Sequence, residues 1–179
     1  MIIALTGLHG SGKSHLSGIL KREFGWAYIN KRRVLKELFG KHFPAPESVE
    51  SIQWYRGVYQ SIGAGELMSL VLSQIEADSN VVLDAVHNPI EWTVVKSSDK
   101  NAVLAGVFAP QEVRDTRNTS LDAVLDRKRI GYWHDSQDAS LQCLMTKVDW
   151  AFSGVHGEEL QIQECEALLS YLRTTGCLG

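Results

Sequence analysis

MIIALTGLHGSGKSH (residues 1–15) passes from the apolar, β-branched run IIALT into a glycine-rich loop and then into a lysine–serine pair. Gly7, Gly12, Lys13 and Ser14 fit G-x-x-x-x-G-K-[ST] at the turn from an expected strand into an expected helix, the setting that spacing needs in order to bind phosphate. The glycines let successive backbone N–H groups point inward, and the helix N-terminus adds partial positive charge. Lys13 is expected to reach β- and γ-phosphates, and the Ser14 hydroxyl to ligate Mg²⁺. The whole stretch Gly7, Leu8, His9, Gly10, Ser11, Gly12, Lys13, Ser14 and His15 is therefore the expected nucleotide-binding segment.

Outward from this loop, the chain alternates short buried-type strands with longer helical stretches. Residues 2–6, 26–29, 81–84, 102–109 and 150–152 read as strands, several of them apolar on both faces. Residues 13–23, 31–39, 48–78, 89–98, 119–147 and 157–174 read as helix. Asn88, Pro89 and Glu91 place an N-cap, a first-turn proline and an N3 carboxylate in order. Gly40 suits a helix C-cap, and Gly63 and Gly65 mark a bend. Strands joined by helical crossovers imply an α/β fold with a parallel sheet between two helical layers. The expectation is one domain over residues 1–179, since a chain of 179 residues falls in the usual size range of a single core.

Charge and cysteine content narrow the function classes. A net charge of -3 offers no general attraction to a polyphosphate backbone, so a nucleic-acid partner is disfavoured. Cys143, Cys165 and Cys177 lack the paired spacing of zinc or redox sites and read as reduced structural thiols. No basic leader or membrane-length apolar run precedes the loop, which predicts a cytoplasmic protein without membrane contact. The sequence does not set the oligomeric state.

NVVLDAVHN (80–88) supplies the second acidic group that a phosphate-bound metal needs. Asp84 falls where the apolar run stops, and a carboxylate there is uncomfortable without a cation or hydrogen bonds. Ser14 and Asp84 are thus the expected Mg²⁺ ligands, although a turn or cap role for Asp84 stays open. No NKxD-like stretch for reading guanine is present.

On GLHGSGKS, VVLDAVHN, the arginine-bearing segment after the fourth strand and the C-terminal KVDWAFSGVHGEELQIQECEALL, the chain resembles the nucleoside-monophosphate kinase-like group of small P-loop kinases. The adenylate kinase and dephospho-coenzyme A kinase branches are the nearest in pattern. The resemblance implies a three-layer P-loop NTPase fold with a five-stranded parallel sheet and a short helical lid, expected at 111–135. It implies ATP and Mg²⁺ as cofactors and transfer of the γ-phosphoryl group to a nucleotide-like small molecule. By the same resemblance, Arg114 and Arg117 form one face of the lid and Arg127 and Arg129 the other, while Lys13, Asp84 and these arginines make the catalytic set. A solvated, salt-bridged face beside Asp115, Asp122 and Asp126 is the alternative for the arginines.

The resemblance places the acceptor pocket at the end of the second strand, where Lys31, Arg32 and Arg33 suit an acceptor phosphate, as does Arg56 further on, with His87 as an acceptor-side base or ligand. Cations at a helix N-terminus are unfavourable unless an anion lies near. Trp54, Tyr55 and Tyr59 read either as base-stacking rings or as core. The segment 153–157 is expected to present its backbone to the adenine edge. An ATP-binding regulatory module without appreciable turnover is the competing reading.

Overall fold

The structure is a computed structural model, and it describes residues 1–39, 57, 59–117 and 141–178. Strand β1 (Ile2–Thr6) is buried along its whole length. Alternation of side chains sends Ile3 and Leu5 to one face and Ile2 and Ala4 to the other, and each face meets its own apolar cluster. Such a strand has to be central. β1 lies between β3 (Val81–Asp84) and β4 (Val103–Phe108), with β2 (Ala27–Asn30) beyond β3 and β5 (Trp150–Ser153) beyond β4, giving the order β2-β3-β1-β4-β5. Every pairing is parallel.

One face is covered by α1 (Lys13–Phe24) and α7 (Glu158–Thr174). Leu16, Ile19 and Leu20 from the first and Leu168, Leu169 and Leu172 from the second pack on Ile3, Leu5, Val82 and Phe152. The other face carries α2 (Lys31–Phe39), α3 (Ala64–Leu72), α4 (Pro89–Ser98) and α6 (Leu141–Met145), through Leu35, Leu67, Met68, Val95 and Leu144. The short α5 (Gln111–Arg117) follows β4 and buries no side chain. Fully burying a Leu, Ile or Val side chain is worth ~1.5–3 kcal/mol, so these two layers are what hold the sheet.

The expected three layers and five parallel strands are present. The second strand begins one residue late because Trp26 turns into the core, 4% exposed, before pairing starts. The helix expected over 48–78 is broken at Gly63, whose φ of 93° caps the start of α3; residues 48–56 lie outside the described residues, as does Gly40. Of the helix expected over 119–147, α6 is the described part. Residues 111–117 form a helix that the apolar pattern does not announce. Asn88 caps α4 by accepting from the Glu91 backbone N–H at 2.9 Å, as the sequence implies.

Because all strands run the same way, their C-terminal ends share one edge of the sheet. The glycine loop after β1, Asp84 at the end of β3, Asn30 at the end of β2 and Gly154 after β5 are therefore neighbours.

Candidate active site

Gly7 leaves β1 with φ 145°, and a Cβ there would stand 2.4 Å from the Val107 carbonyl oxygen. Only glycine fits this turn against β4. Gly10 and Gly12 continue at φ 69° and 103°, and Gly12 is the N-cap from which α1 starts. Lys13 folds back over the loop, its Nζ donating to the Gly7 carbonyl at 2.9 Å and the Leu8 carbonyl at 2.7 Å. A cation is thus held at the mouth of a loop whose turn and helix N-terminus favour an anion. Leu8 contributes backbone here, since its side chain packs against the core. His9 is half-buried in the loop. His15, on the first turn of α1, is exposed, its ring 3.9 Å from Glu158.

Asp84 is 6% exposed and accepts two hydroxyl hydrogen bonds at a single oxygen. Ser14 Oγ and Tyr28 Oη each donate to Oδ2 at 3.1 Å. The Tyr28 phenol in turn accepts from Asn30 Nδ2 at 3.0 Å, and Asn30 Oδ1 accepts from the Arg33 backbone N–H at 2.9 Å, capping α2. Burial first, then the adjacent Asp84 carboxylate, pushes the Tyr28 phenol above its ordinary value, so it remains a donor. Ser14 and Asp84, 70 residues apart in sequence, therefore meet as two hard oxygen donors beside the phosphate loop. That donor set fits Mg²⁺, which takes one or two protein oxygens and completes its shell with phosphate and water.

The acceptor side differs from its sequence reading. Lys31 was expected to offer its charge to an acceptor phosphate; instead it is 5% exposed, and its Nζ is 2.8 Å from Glu91 Oε1. Glu91, completely buried, also accepts from the Tyr59 hydroxyl and, through Oε2, from the His87 backbone N–H at 2.8 Å. An ammonium and a carboxylate enclosed this fully satisfy each other, which leaves Lys31 as an internal tie between α2 and α4. The N3 carboxylate thus holds the backbone one residue before the cap. Tyr59 is part of this network, donating to Glu91 and accepting from Lys31 at 3.1 Å. Arg33 is exposed and lies 3.6 Å from Glu37, and Arg32 is half-buried. His87 is half-buried in the connection between β3 and α4. Trp54, Tyr55 and Arg56 lie outside the described residues.

The opposite flank is built around Gly154. Its N–H donates to the Phe108 carbonyl at 2.7 Å, and a Cβ on it would fall 1.8 Å from the Ser11 carbonyl oxygen. Arg117 Nη1 bridges the two loops, donating to Gly10 O at 3.1 Å and Gly154 O at 2.9 Å. Buried Gln161 holds the Ser153 carbonyl at 3.0 Å, and His156 pairs with Glu164 at 2.8 Å. Of the arginines assigned to the lid, Arg114 is half-buried, with Nε donating to the Ala109 carbonyl at 3.3 Å, and Arg117 reaches the phosphate loop. Arg127 and Arg129 lie outside the described residues.

Sequence reading does not single out Tyr28, Gln161 or Gly154, and it gives Asn30 and Glu91 only local parts. Tyr28 and Asn30 carried one usable signal, two polar-tipped residues at i and i+2 closing a strand that ends at the site.

The fold matches that of solved P-loop kinases. The chain aligns with a shikimate kinase from Acinetobacter baumannii solved in complex with shikimate, at a TM-score of 0.64 and 13% identity over 95% of this chain and 93% of that one. It also aligns with the APS kinase of Mycobacterium tuberculosis in complex with AMPPNP and APS, at a TM-score of 0.59 and 14% identity over 94% and 96% of the two chains. In sequence it is similar to a UPF0200 protein of Aeropyrum pernix, 29% identical over 73% of this chain and 67% of that protein. A UPF0200 protein of Sulfurisphaera tokodaii is 30% identical over 65% of this chain and 63% of its own length. No protein-family model matches the chain. Among the described residues no helix is long and apolar enough to cross a membrane.

Proposed function

We propose that the protein is an ATP-dependent phosphotransferase that moves the γ-phosphoryl group of Mg·ATP to a nucleotide-like small molecule, of the nucleoside monophosphate or dephospho-coenzyme A class. The observation that carries this reading is the contact of Ser14 with Asp84 at the mouth of a loop already furnished with Lys13.

In this reading the amides of 7–14 and Lys13 hold the β- and γ-phosphates, and Ser14 and Asp84 hold Mg²⁺. The metal ion, when bound, neutralises charge on the phosphate oxygens. An acceptor oxygen attacks the γ-phosphorus as the bond to the β–γ bridging oxygen breaks. ADP leaves, and the acceptor's proton, where it carries one, passes to Asp84 or His87. Arg117 and Arg114, with Arg127 and Arg129, are the cations of a lid over 111–135. Arg32, Arg33, Arg56 and the loop carrying His87 face the acceptor. The 153–157 segment, fixed by Gln161 and Arg117, takes the adenine side. Three free cysteines agree with a reducing cytoplasm.

The test is transfer of label from γ-labelled ATP, with Mg²⁺, to a panel of nucleoside monophosphates, nucleosides and dephospho-coenzyme A, extended to shikimate and APS, with Lys13→Ala as control. Lys13-dependent label in a nucleotide or dephospho-coenzyme A supports the proposal. Label only in shikimate or another hydroxyl compound keeps the kinase and changes the acceptor. Tight ATP binding without transfer to any of them replaces it by the regulatory reading.

A further inference from the structure

The hydrogen bonds around Asp84 run in one direction. Asn30 Oδ1 accepts from the Arg33 backbone N–H, an atom that can only donate, so the Asn30 amide presents its Nδ2 to Tyr28. The amide nitrogen can only donate to the phenol oxygen. The single phenolic proton is left to point at Asp84 Oδ2, where it meets the hydroxyl of Ser14 on the same oxygen. The strand register supports this geometry, since Asn30 stands directly beside Asp84 on the neighbouring strand. An ordered chain of donors thus connects the N-terminus of α2 with the carboxylate at the mouth of the phosphate loop.

We propose that Tyr28, aimed by Asn30, is a positioning residue for phosphoryl transfer, fixing the Asp84 carboxylate in the orientation that receives the metal of a metal–nucleotide complex. This rests on the phosphotransferase reading. A carboxylate turns about one terminal torsion whose energy profile is broad, so its orientation is set by whichever donors grip its oxygens. Ser14 cannot fill that role alone, because its own oxygen belongs to the expected metal ligands. The phenol is held from behind by an amide that is itself held by a helix end. Groups that orient a metal ligand from the next layer out change metal affinity by roughly 10- to 100-fold when removed.

Two substitutions separate orientation from simple support. Tyr28→Phe keeps the ring and deletes the hydroxyl. Asn30→Asp keeps an oxygen to cap α2, but turns the phenol's donor into an acceptor that draws the phenolic proton away from Asp84. As a cap, aspartate serves as well as asparagine, so a merely structural role leaves Asn30→Asp harmless. The direct readout is calorimetric binding of ADP with Mn²⁺ and of ADP in excess chelator.

Both variants are expected to bind Mn·ADP roughly 10- to 100-fold more weakly than the unsubstituted protein, with metal-free ADP affinity and melting temperature unchanged. In turnover, the Mg²⁺ concentration for half-maximal rate rises by a similar factor. Wild-type Mn·ADP affinity in both variants overturns the proposal and leaves the kinase reading standing. Equal loss of affinity with and without metal also overturns it, by making the effect one of fold. If the unsubstituted protein gains no ADP affinity from Mn²⁺, the phosphotransferase reading and this inference fall together.

Discussion

Lys31 and Glu91, 60 residues apart in sequence, form an enclosed ion pair, Nζ to Oε1 at 2.8 Å with side chains 6% and 0% exposed. Removing one partner of such a pair strands a charge and costs about 3–5 kcal/mol. Lys31→Met is therefore expected to lower the melting temperature by roughly 6–20 °C for a chain of this size. In a double-mutant cycle with Glu91→Gln, chemical denaturation should return a coupling energy above ~2 kcal/mol. A cycle that closes near zero would mean Lys31 is free to serve an acceptor after all.

Gly154→Ala should disturb nucleotide binding and stability together. The new methyl would fall on the Ser11 carbonyl, a backbone atom that cannot swing aside. Overpacking of this kind costs about 1–3 kcal/mol even where side chains yield. Calorimetric ATP affinity should drop by more than tenfold along with the melting temperature, whereas Gly157→Ala, with open space around it, should leave ATP affinity unchanged and cost only the ~0.5–1 kcal/mol of a poorer N-cap.

Arg117→Ala predicts the opposite split. The side chain is largely exposed, so its bonds to Gly10 and Gly154 are worth only ~1 kcal/mol to the fold. Both carbonyls, however, belong to the loops that would hold the nucleotide. Melting should move by a few degrees, while the KM for ATP rises by about tenfold or more. Arg117→Lys should recover part of the loss, because both bonds come from one nitrogen and an ammonium can donate both, though from a differently shaped side chain.

The thiols should separate by exposure and by pH. Burial, with Glu164 and Glu166 adding to it, pushes the Cys165 thiol from 9.0 up to about 12. A neutral, enclosed thiol reacts slowly, so a thiol reagent near pH 8 should modify the half-buried Cys143 and Cys177 and reach Cys165 only on unfolding. The folded pKa being the higher one, the unfolded chain loses this proton first as pH rises. Stability from this group is whole below pH 9 and declines between pH 9 and 12. Burial also raises Tyr28, which adds a decline of the same sign above pH 10. Denaturation midpoints measured from pH 7 to 11 check this slope.

What could be read from the sequence was what depends on neighbours in the chain. IIALT followed by GLHGSGKS specifies its strand, its turn and its helix start within residues 2–14, and Asn88, Pro89 and Glu91 specify a helix start in four. That the sheet is parallel followed from the helical crossovers between strands, whereas the strand order did not. The site's second layer was opaque for the complementary reason. Tyr28 meets Asp84 across 56 residues and Lys31 meets Glu91 across 60, contacts that no local period encodes. The basic triplet at 31–33 looked uniform in sequence, yet the turn of α2 drives Lys31 inward and leaves Arg33 outside.

The seat of Gly7 on Val107, and of Ser11 on Gly154, sets an order of events during chain growth. The supports of the phosphate loop come about a hundred residues or more after it in the chain. β1 likewise pairs Ile2 with Val81 and Ile3 with Val103, so its partners too arrive late. Long-range parallel pairing of this kind makes for slow closure. A nascent chain halted before residue 103 therefore carries the complete signature GLHGSGKS with no β4 to form it against. Competence for nucleotide therefore waits on β4 and the turn at Gly154, both of which follow the loop in the chain.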